Sequence, residues 1–245
     1  MPVFKMIFRL DFDKPKFSVV DNAGAIMQMM TDNAAIPWID FRNEVAGGGV
    51  SAHYTALDSS SHQQITIQPA NLNFLLEDSK GIDLSRVELH QPLADLFKIV
   101  HAFNDQYHIA GLKRAGIRFV YLSDVGTTKQ ADTLFESALA SRFLDNIKQE
   151  IGAPNDYGIA INGIAEDKLG YNFKAGPLRD SNIDGHFAIT KELLKNEPKR
   201  SMMVDLDFFE ENFVLSVRGK KWSEAAIRKA QKLTAQLEEL LLAVQ

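Results

Sequence analysis

Apolar and polar residues along this chain recur with two different periods, and the switches between them predict most of its elements. Val3 to Phe12 is crowded with Val, Ile and Phe and is followed by the breaker Lys14-Pro15-Lys16, the pattern of an opening strand. Asp21 to Asn33, with Ile26, Met27, Met29 and Met30, predicts a short helix. Ile36 to Ala46 and Val50 to Leu57 flank Gly47-Gly48-Gly49, which reads as a hairpin turn and not as a phosphate loop, because both flanks are apolar. Ile65 to Gln68 and Leu72 to Glu77 predict a second hairpin across Pro69-Ala70-Asn71.

Gln91 to His108 then places Leu93, Leu96, Phe97, Val100, Asn104 and Tyr107 at spacings of three and four, the stripe of an amphipathic helix. Ala115, Ile117, Phe119 and Tyr121 alternate with Arg114, Gly116, Arg118 and Val120, so Arg114 to Leu122 predicts a strand with one apolar face. Ala131 to Ile151 reads as a helix ended by Gly152 and Pro154, and Tyr157 to Ile164, Tyr171 to Lys174 and Phe187 to Thr190 as strands. Met202 to Phe209 and Phe213 to Val217 read as a hairpin across Glu210-Glu211-Asn212. Trp222 to Val244 reads as a long final helix with the stripe Trp222, Ala226, Ala230, Leu233, Leu237, Leu240, Leu241 and Val244.

The expected fold class is therefore α+β, with largely antiparallel sheet or sheets and about three main helices, the C-terminal one long. Residues 65–108 and 202–244 both read as hairpin then helix. The expectation is one domain, with two structurally similar halves, 1–124 and 125–245, as the alternative organisation.

Composition narrows the functional classes. With 245 residues, 45% hydrophobic and 24% charged, the chain has the balance of a globular protein and enough length for a sizeable core. It has no cysteine, which excludes disulfides, thiolate metal ligation and thiol catalysis and fits a reducing compartment. Lys5 and Arg9 interrupt the apolar residues of the opening, so no secretory signal is read, and no uncharged apolar run approaches membrane-spanning length. A cytoplasmic, soluble protein is expected. A net charge of -5 opposes diffuse attraction to phosphate backbones, so nucleic acid is a disfavoured partner and membrane is not expected.

Leu112-Lys-Arg-Ala-Gly-Ile-Arg-Phe-Val-Tyr121, after a helix ending Phe103-Asn-Asp-Gln-Tyr107, resembles the central segment of a sporadically distributed family of bacterial proteins of unknown function. That family centres on Arg-x-Gly-[Ile/Leu]-Arg-[Phe/Tyr] and ends on an acidic strand and a helix; Val204-Asp-Leu-Asp-Phe208 looks like that strand. The chain departs from the pattern in lacking a Pro-rich opening and in carrying Tyr121 where the family often has Asn. The resemblance implies a cytosolic bacterial protein and names no substrate.

The chemistry-bearing candidates are Arg114, Gly116, Arg118, Asp205 and Asp207. Arg114 and Arg118 share a strand face with Gly116 between them, where the missing side chain leaves room for close approach. Two guanidiniums there can hold a phosphate or carboxylate bidentately. Asp205 and Asp207 also share a face, so Arg118 can instead pair with an aspartate across the sheet. Two carboxylates without further ligands make a poor metal site, and no metal or cofactor is expected.

His101, Asp105 and His108 fall on one helical stripe and read as a half-buried polar flank. Ser59-Ser60-Ser61-His62 reads as polar loop and Gly126-Thr-Thr-Lys129 lacks the order of a phosphate loop. Arg218, Lys220, Lys221, Arg228, Lys229 and Lys232 read as a solvated helix face diluted by Glu224, Glu238 and Glu239. The expected function is a non-enzymatic interaction or regulatory module of a bacterial cytosolic system, binding a protein, a second copy of itself or a small anionic partner. Two alternatives stand beside it: an enzyme acting on a phosphorylated or nucleotide substrate, and a nucleic-acid-associated protein.

Overall fold

The computed structural model describes residues 2–35, 38–44, 48–84, 91–109, 111–124, 128–138, 149, 157–165, 168–188, 190–196 and 200–243. Among them nine strands form one sheet: β1 (Val3–Phe12), β2 (Asp40–Glu44), β3 (Gly49–Thr55), β4 (Ser61–Ile67), β5 (Asn71–Ile82), β6 (Leu112–Ser123), β7 (Ile159–Ile164), β8 (Gly170–Pro177) and β9 (Met202–Phe213). Their order is β2-β3-β4-β5-β1-β6-β9-β8-β7, and every neighbouring pair is antiparallel. The helices among the described residues are α1 (Ser18–Asp21), α2 (Ala23–Asp32), α3 (Gln91–Tyr107), α4 (Thr128–Ala138), α5 (Asp180–His186), α6 (Lys191–Asn196) and α7 (Leu215–Ala243).

The strict alternation of β1 and β6 decides which face of the sheet is dry. Met6, Phe8, Leu10 and Phe12 on β1 pair beside Ile117, Phe119 and Ala115 on β6, and all are buried in the main core. Leu93, Leu96, Val100 and Phe103 of α3 join that core, with Phe8 edge-on to Phe97 at 6.3 Å and Phe12 stacked on Phe103 at 5.7 Å. Each such large side chain contributes about 1.5–3 kcal/mol on burial. Trp222 of α7 meets Phe213 at 5.4 Å, which fixes the last helix to the end of β9.

The opposite face carries Arg9, Asp11, Arg114, Arg118, Asp205 and Asp207 at its centre and a smaller apolar cluster under α5 and α6. There Phe4, Val120 and Leu122 pack with Leu178, Ile183, Phe187 and Leu194 in a second cluster. Phe4 reaches that side because of a bulge: Val3 lies opposite Tyr121 and Lys5 opposite Val120, so one residue of β1 has no partner of its own on β6. Beside this cluster Glu77 is wholly buried, and Lys5 donates to it at 3.1 Å. The Ala188 amide donates to the same carboxylate at 3.1 Å and the Thr190 hydroxyl at 3.3 Å, which anchors the α5–α6 connection to the sheet. Lys5 also donates to the His186 carbonyl.

Several expectations are corrected. The sheet is single, and the described residues hold seven helices where about three were expected. Helices as short as Ser18–Asp21, Asp180–His186 and Lys191–Asn196 span too few turns for a period of 3.6 to register. Asp21 to Asn33 is divided between α1 and α2. Of the strand expected at Phe187 to Thr190, the described residues Phe187, Ala188 and Thr190 form none, because Phe187 ends α5 inside the second cluster and Thr190 bonds Glu77. The hairpin at 210–212 is absent. Glu210 and Glu211 stay in register opposite Ala115 and Arg114, β9 runs on to Phe213, and residues 215–217 already belong to α7. His62, read as loop, lies within β4 with 5% of its surface exposed. Gly47, residues 139–148 and Gly126 lie outside the described residues.

The stripe of α7 is rotated from its expected position. Trp222, Ala226 and Ala230 are buried together with Ile227, while Leu233 is 42% exposed; the side chains of Leu237, Leu240, Leu241 and Val244 lie outside the described residues. Ile227→Ala is therefore expected to cost about 2–5 kcal/mol, and Leu233→Ala about 1 kcal/mol or less. Urea unfolding of the two variants checks this; equal losses would contradict the observed rotation.

Candidate functional site

The polar side of the sheet centre is built by β5, β1, β6, β9 and β8. Ile7 stands opposite Arg118, Arg9 opposite Gly116 and Asp11 opposite Arg114, and alternation points the five side chains to the side away from the main core. Arg118 lies opposite Asp207 in register but bonds the neighbouring acid. Its Nε donates to Asp205 Oδ1 at 2.7 Å and its Nη2 to Asp205 Oδ2 at 2.6 Å, a two-point fork. Asp205 is 8% exposed at its side chain and Arg118 37%. The hydrogen bonds that Arg118 donates to Asp205 raise its already high pKa.

Arg114 stands opposite Glu211 yet reaches Asp207, four residues along β9, at 2.8 Å. It does so by leaning across Gly116. A Cβ at Gly116 would lie 3.9 Å from the Arg114 guanidinium carbon and 3.8 Å from Asp207 Oδ1, ordinary contact distances, so the guanidinium passes directly over this position. The guanidinium also stacks on Phe209, 4.6 Å from the ring centre. That ring lies over Gly170, where any Cβ would sit 2.5 Å from it. Asn172 adds a hydrogen bond to Asp207 at 3.3 Å. Burial raises the Asp207 pKa, and Arg114, Asn172 and Arg118 oppose that rise.

A depression of about 260 Å³ opens here, with Gly116 in its floor, Arg9, Arg114, Arg118 and Asn73 around it and Ile7 on one side. Arg9 is oriented in turn by Asp11 at 2.8 Å. Three guanidiniums thus surround one hollow, each held along one edge by a carboxylate. A guanidinium carries five N–H donors, so its remaining edge can serve a ligand.

The five residues singled out in the sequence, Arg114, Gly116, Arg118, Asp205 and Asp207, are gathered in this one place. Arg9, Asp11, Asn73 and Asn172 were missed. The signal for Arg9 and Asp11 was present in the alternation of β1, where Lys5, Ile7, Arg9 and Asp11 occupy the positions between apolar residues. Asp205 and Asp207 are engaged by guanidiniums, which occupies the lone pairs a cation would need.

The other candidates separate. His101, Asp105 and His108 are exposed instead of half-buried, and His108 lies beyond the end of α3 with φ 49°. Among the described residues no group of three His, Cys, Asp or Glu is placed to hold a metal ion. Lys221, Arg228 and Lys232 are exposed on α7, while the side chains of Arg218 and Lys220 lie outside the described residues. His62 shares a hydrogen bond with Thr55 at 3.0 Å and lies 5.9 Å from His53, ring to ring. Burial holds the His62 pKa below its usual value against the pull of Glu77, and burial likewise depresses His186 against Asp205.

No family model matches this chain, and no curated protein matches it. Among solved structures it is similar to the crystal structure of the di-domain ARO/CYC StfQ from the steffimycin biosynthetic pathway, at 10% identity over 94% of this chain and 93% of that one, with a TM-score of 0.24. A similarity at that score carries no argument about fold or function. Among the described residues no helix is long and apolar enough to cross a membrane.

The titrating groups set a pH dependence. His62 and His186 have lowered pKa values in the folded protein, so the unfolded chain binds protons first as pH falls. Their contribution is complete above about pH 6.5 and is lost progressively below it. Asp207 acts in the opposite sense, since its raised pKa favours the folded state only at low pH, and that gain disappears as pH rises from about 4. The urea midpoint is expected to fall between pH 7 and 5.5, and to fall less in a His62→Gln, His186→Gln double variant. An identical fall in the variant would contradict the assignment.

Proposed function

We propose that this protein is a non-enzymatic interaction or regulatory module of a bacterial cytosolic system, and that the hollow over Gly116 takes a carboxylate or phosphate group of a protein or small anionic partner. The supporting observation is the placement of Arg9, Arg114 and Arg118 around one 260 Å³ depression, each oriented by its own aspartate. Orientation before binding matters because an arginine otherwise loses rotamer freedom when it closes on a ligand. The three acids also cancel the charge of the three guanidiniums, so recognition here is short-range and geometric and does not attract phosphate chains from a distance. Groups committed to ion pairs are poorly suited to shuttling protons, which favours binding over acid–base catalysis.

Two variants separate binding from folding. Arg118→Ala strands the Asp205 carboxylate, which is 8% exposed, and is expected to cost about 1–3 kcal/mol of stability. Arg9 is half exposed and paired only at the surface, so Arg9→Ala should change stability by about 0.5 kcal/mol or less. Calorimetric titration with inorganic phosphate at low salt is expected to show saturable binding that Arg9→Ala weakens at least about tenfold, equivalent to about 1.4 kcal/mol. Absence of saturable binding of phosphate and of short dicarboxylates, or binding untouched by Arg9→Ala, would overturn the reading.

A further inference from the structure

On the other side of β9 a second and larger cavity lies between α7 and the strands β7, β8 and β9. Its volume is about 610 Å³, within the roughly 300–1,000 Å³ common for small-molecule sites. Its floor follows from register: Phe208 stands opposite Tyr171, Leu206 opposite Phe173, and Phe173 opposite Ile161, so apolar side chains of three adjacent strands line up on one face. Leu206 and Phe208 are buried at 0% and 3%, whereas Ile161 at the outer strand and Leu233 on α7 remain 51% and 42% exposed. The cavity is therefore closed at its base and open at a wet, apolar mouth.

Backbone chemistry keeps the cavity from filling with its own side chain. Gly163 is opposite Tyr171, and a Cβ there would fall 2.8 Å from the tyrosine hydroxyl. The ring can lie down across β7 only because that position has no side chain. A residue larger than glycine must displace the ring from this seat.

The charge at the mouth selects the ligand. Lys229 and Lys232, three residues apart and so on one side of α7, line the cavity with Gln236. An apolar body placed against Leu206, Phe208 and Phe173 is stabilised in proportion to the apolar area it removes from water. A carboxylate at its outer end meets the exposed Lys232 ammonium at the rim, in partial solvent. We propose that this cavity binds a small amphipathic carboxylate, with the apolar body inside and the acid at Lys232. This site is separate from the arginine hollow, which lies on the opposite face of the sheet.

Decanoate and decanol, matched in length and differing in charge, test the assignment by displacing the fluorescent amphipathic anion anilinonaphthalene sulfonate from the full chain. Decanoate is expected to displace it saturably, and decanol at least tenfold less well. Lys232→Glu, at an exposed position, should weaken decanoate at least tenfold with the thermal midpoint retained. Gly163→Ala should weaken decanoate and decanol alike, because the displaced Tyr171 ring takes volume from the cavity. Arg9→Ala should leave decanoate binding unchanged. Failure of decanoate to displace the probe, decanol binding as tightly as decanoate, or Lys232→Glu without effect would each overturn the proposal.

Discussion

The structure depends on the antiparallel pairing of β1 with β6 at the centre of the sheet. In that register Met6, Phe8 and Leu10 stand beside Phe119, Ile117 and Ala115 on the core side, while Ile7, Arg9 and Asp11 stand beside Arg118, Gly116 and Arg114 on the other. A slip of one residue would send every guanidinium into the core and every aromatic ring into water. The hydrophobic term that holds the fold is thus the same constraint that assembles the charged hollow. No loop is needed to bring the arginines together, and none of them depends on a flexible segment for its position.

β9 extends the same logic to the acids. Val204, Leu206 and Phe208 are buried in the main core, and the intervening Asp205 and Asp207 meet Arg118 and Arg114. These bonds run diagonally between the two strands. Phe209 occupies the position opposite Gly116, its ring resting over Gly170, and Arg114 passes between the ring and the glycine to reach Asp207. Ion pairing here is partly a structural necessity, because Asp205 is too deeply placed to remain without a counter-ion. The same bonds fix the direction of the remaining guanidinium N–H groups, so a structural and a binding role are compatible in one residue.

The parts of this arrangement that were legible in the sequence are those written in a period of two. Ala115, Ile117, Phe119 and Tyr121 alternate strictly with Arg114, Gly116 and Arg118, and that alone places the arginines on one face and brings pairing with Asp205 into view. What was not legible depends on partners distant in the chain. Glu210 and Glu211 read as a turn because nothing local shows that β6 continues opposite them. Phe187 and Thr190 read as strand because the buried Glu77 that holds Thr190 lies 113 residues away. Leu233 reads as core by spacing, but the side of α7 that faces the sheet is chosen by Trp222, Ile227 and the strands beneath them. Arg9 reads in the sequence only as a charge that interrupts an apolar opening, because nothing local shows that Arg114 and Arg118 lie on the neighbouring strand.

The central claim is that the guanidiniums of Arg9, Arg114 and Arg118 are held ready around one hollow and act together on one anion. Side-chain nitrogen NMR of the arginines during a phosphate titration measures this directly. Before any anion is added, the Nε resonances of Arg9 and Arg118 and the Nη resonance of Arg114, the nitrogens that bond the aspartates, are expected to be resolved, and then to move together with a single apparent dissociation constant. Resonances that stay still, or that shift linearly without saturation as exposed surface arginines do, would contradict it and leave the three ion pairs as structural supports alone.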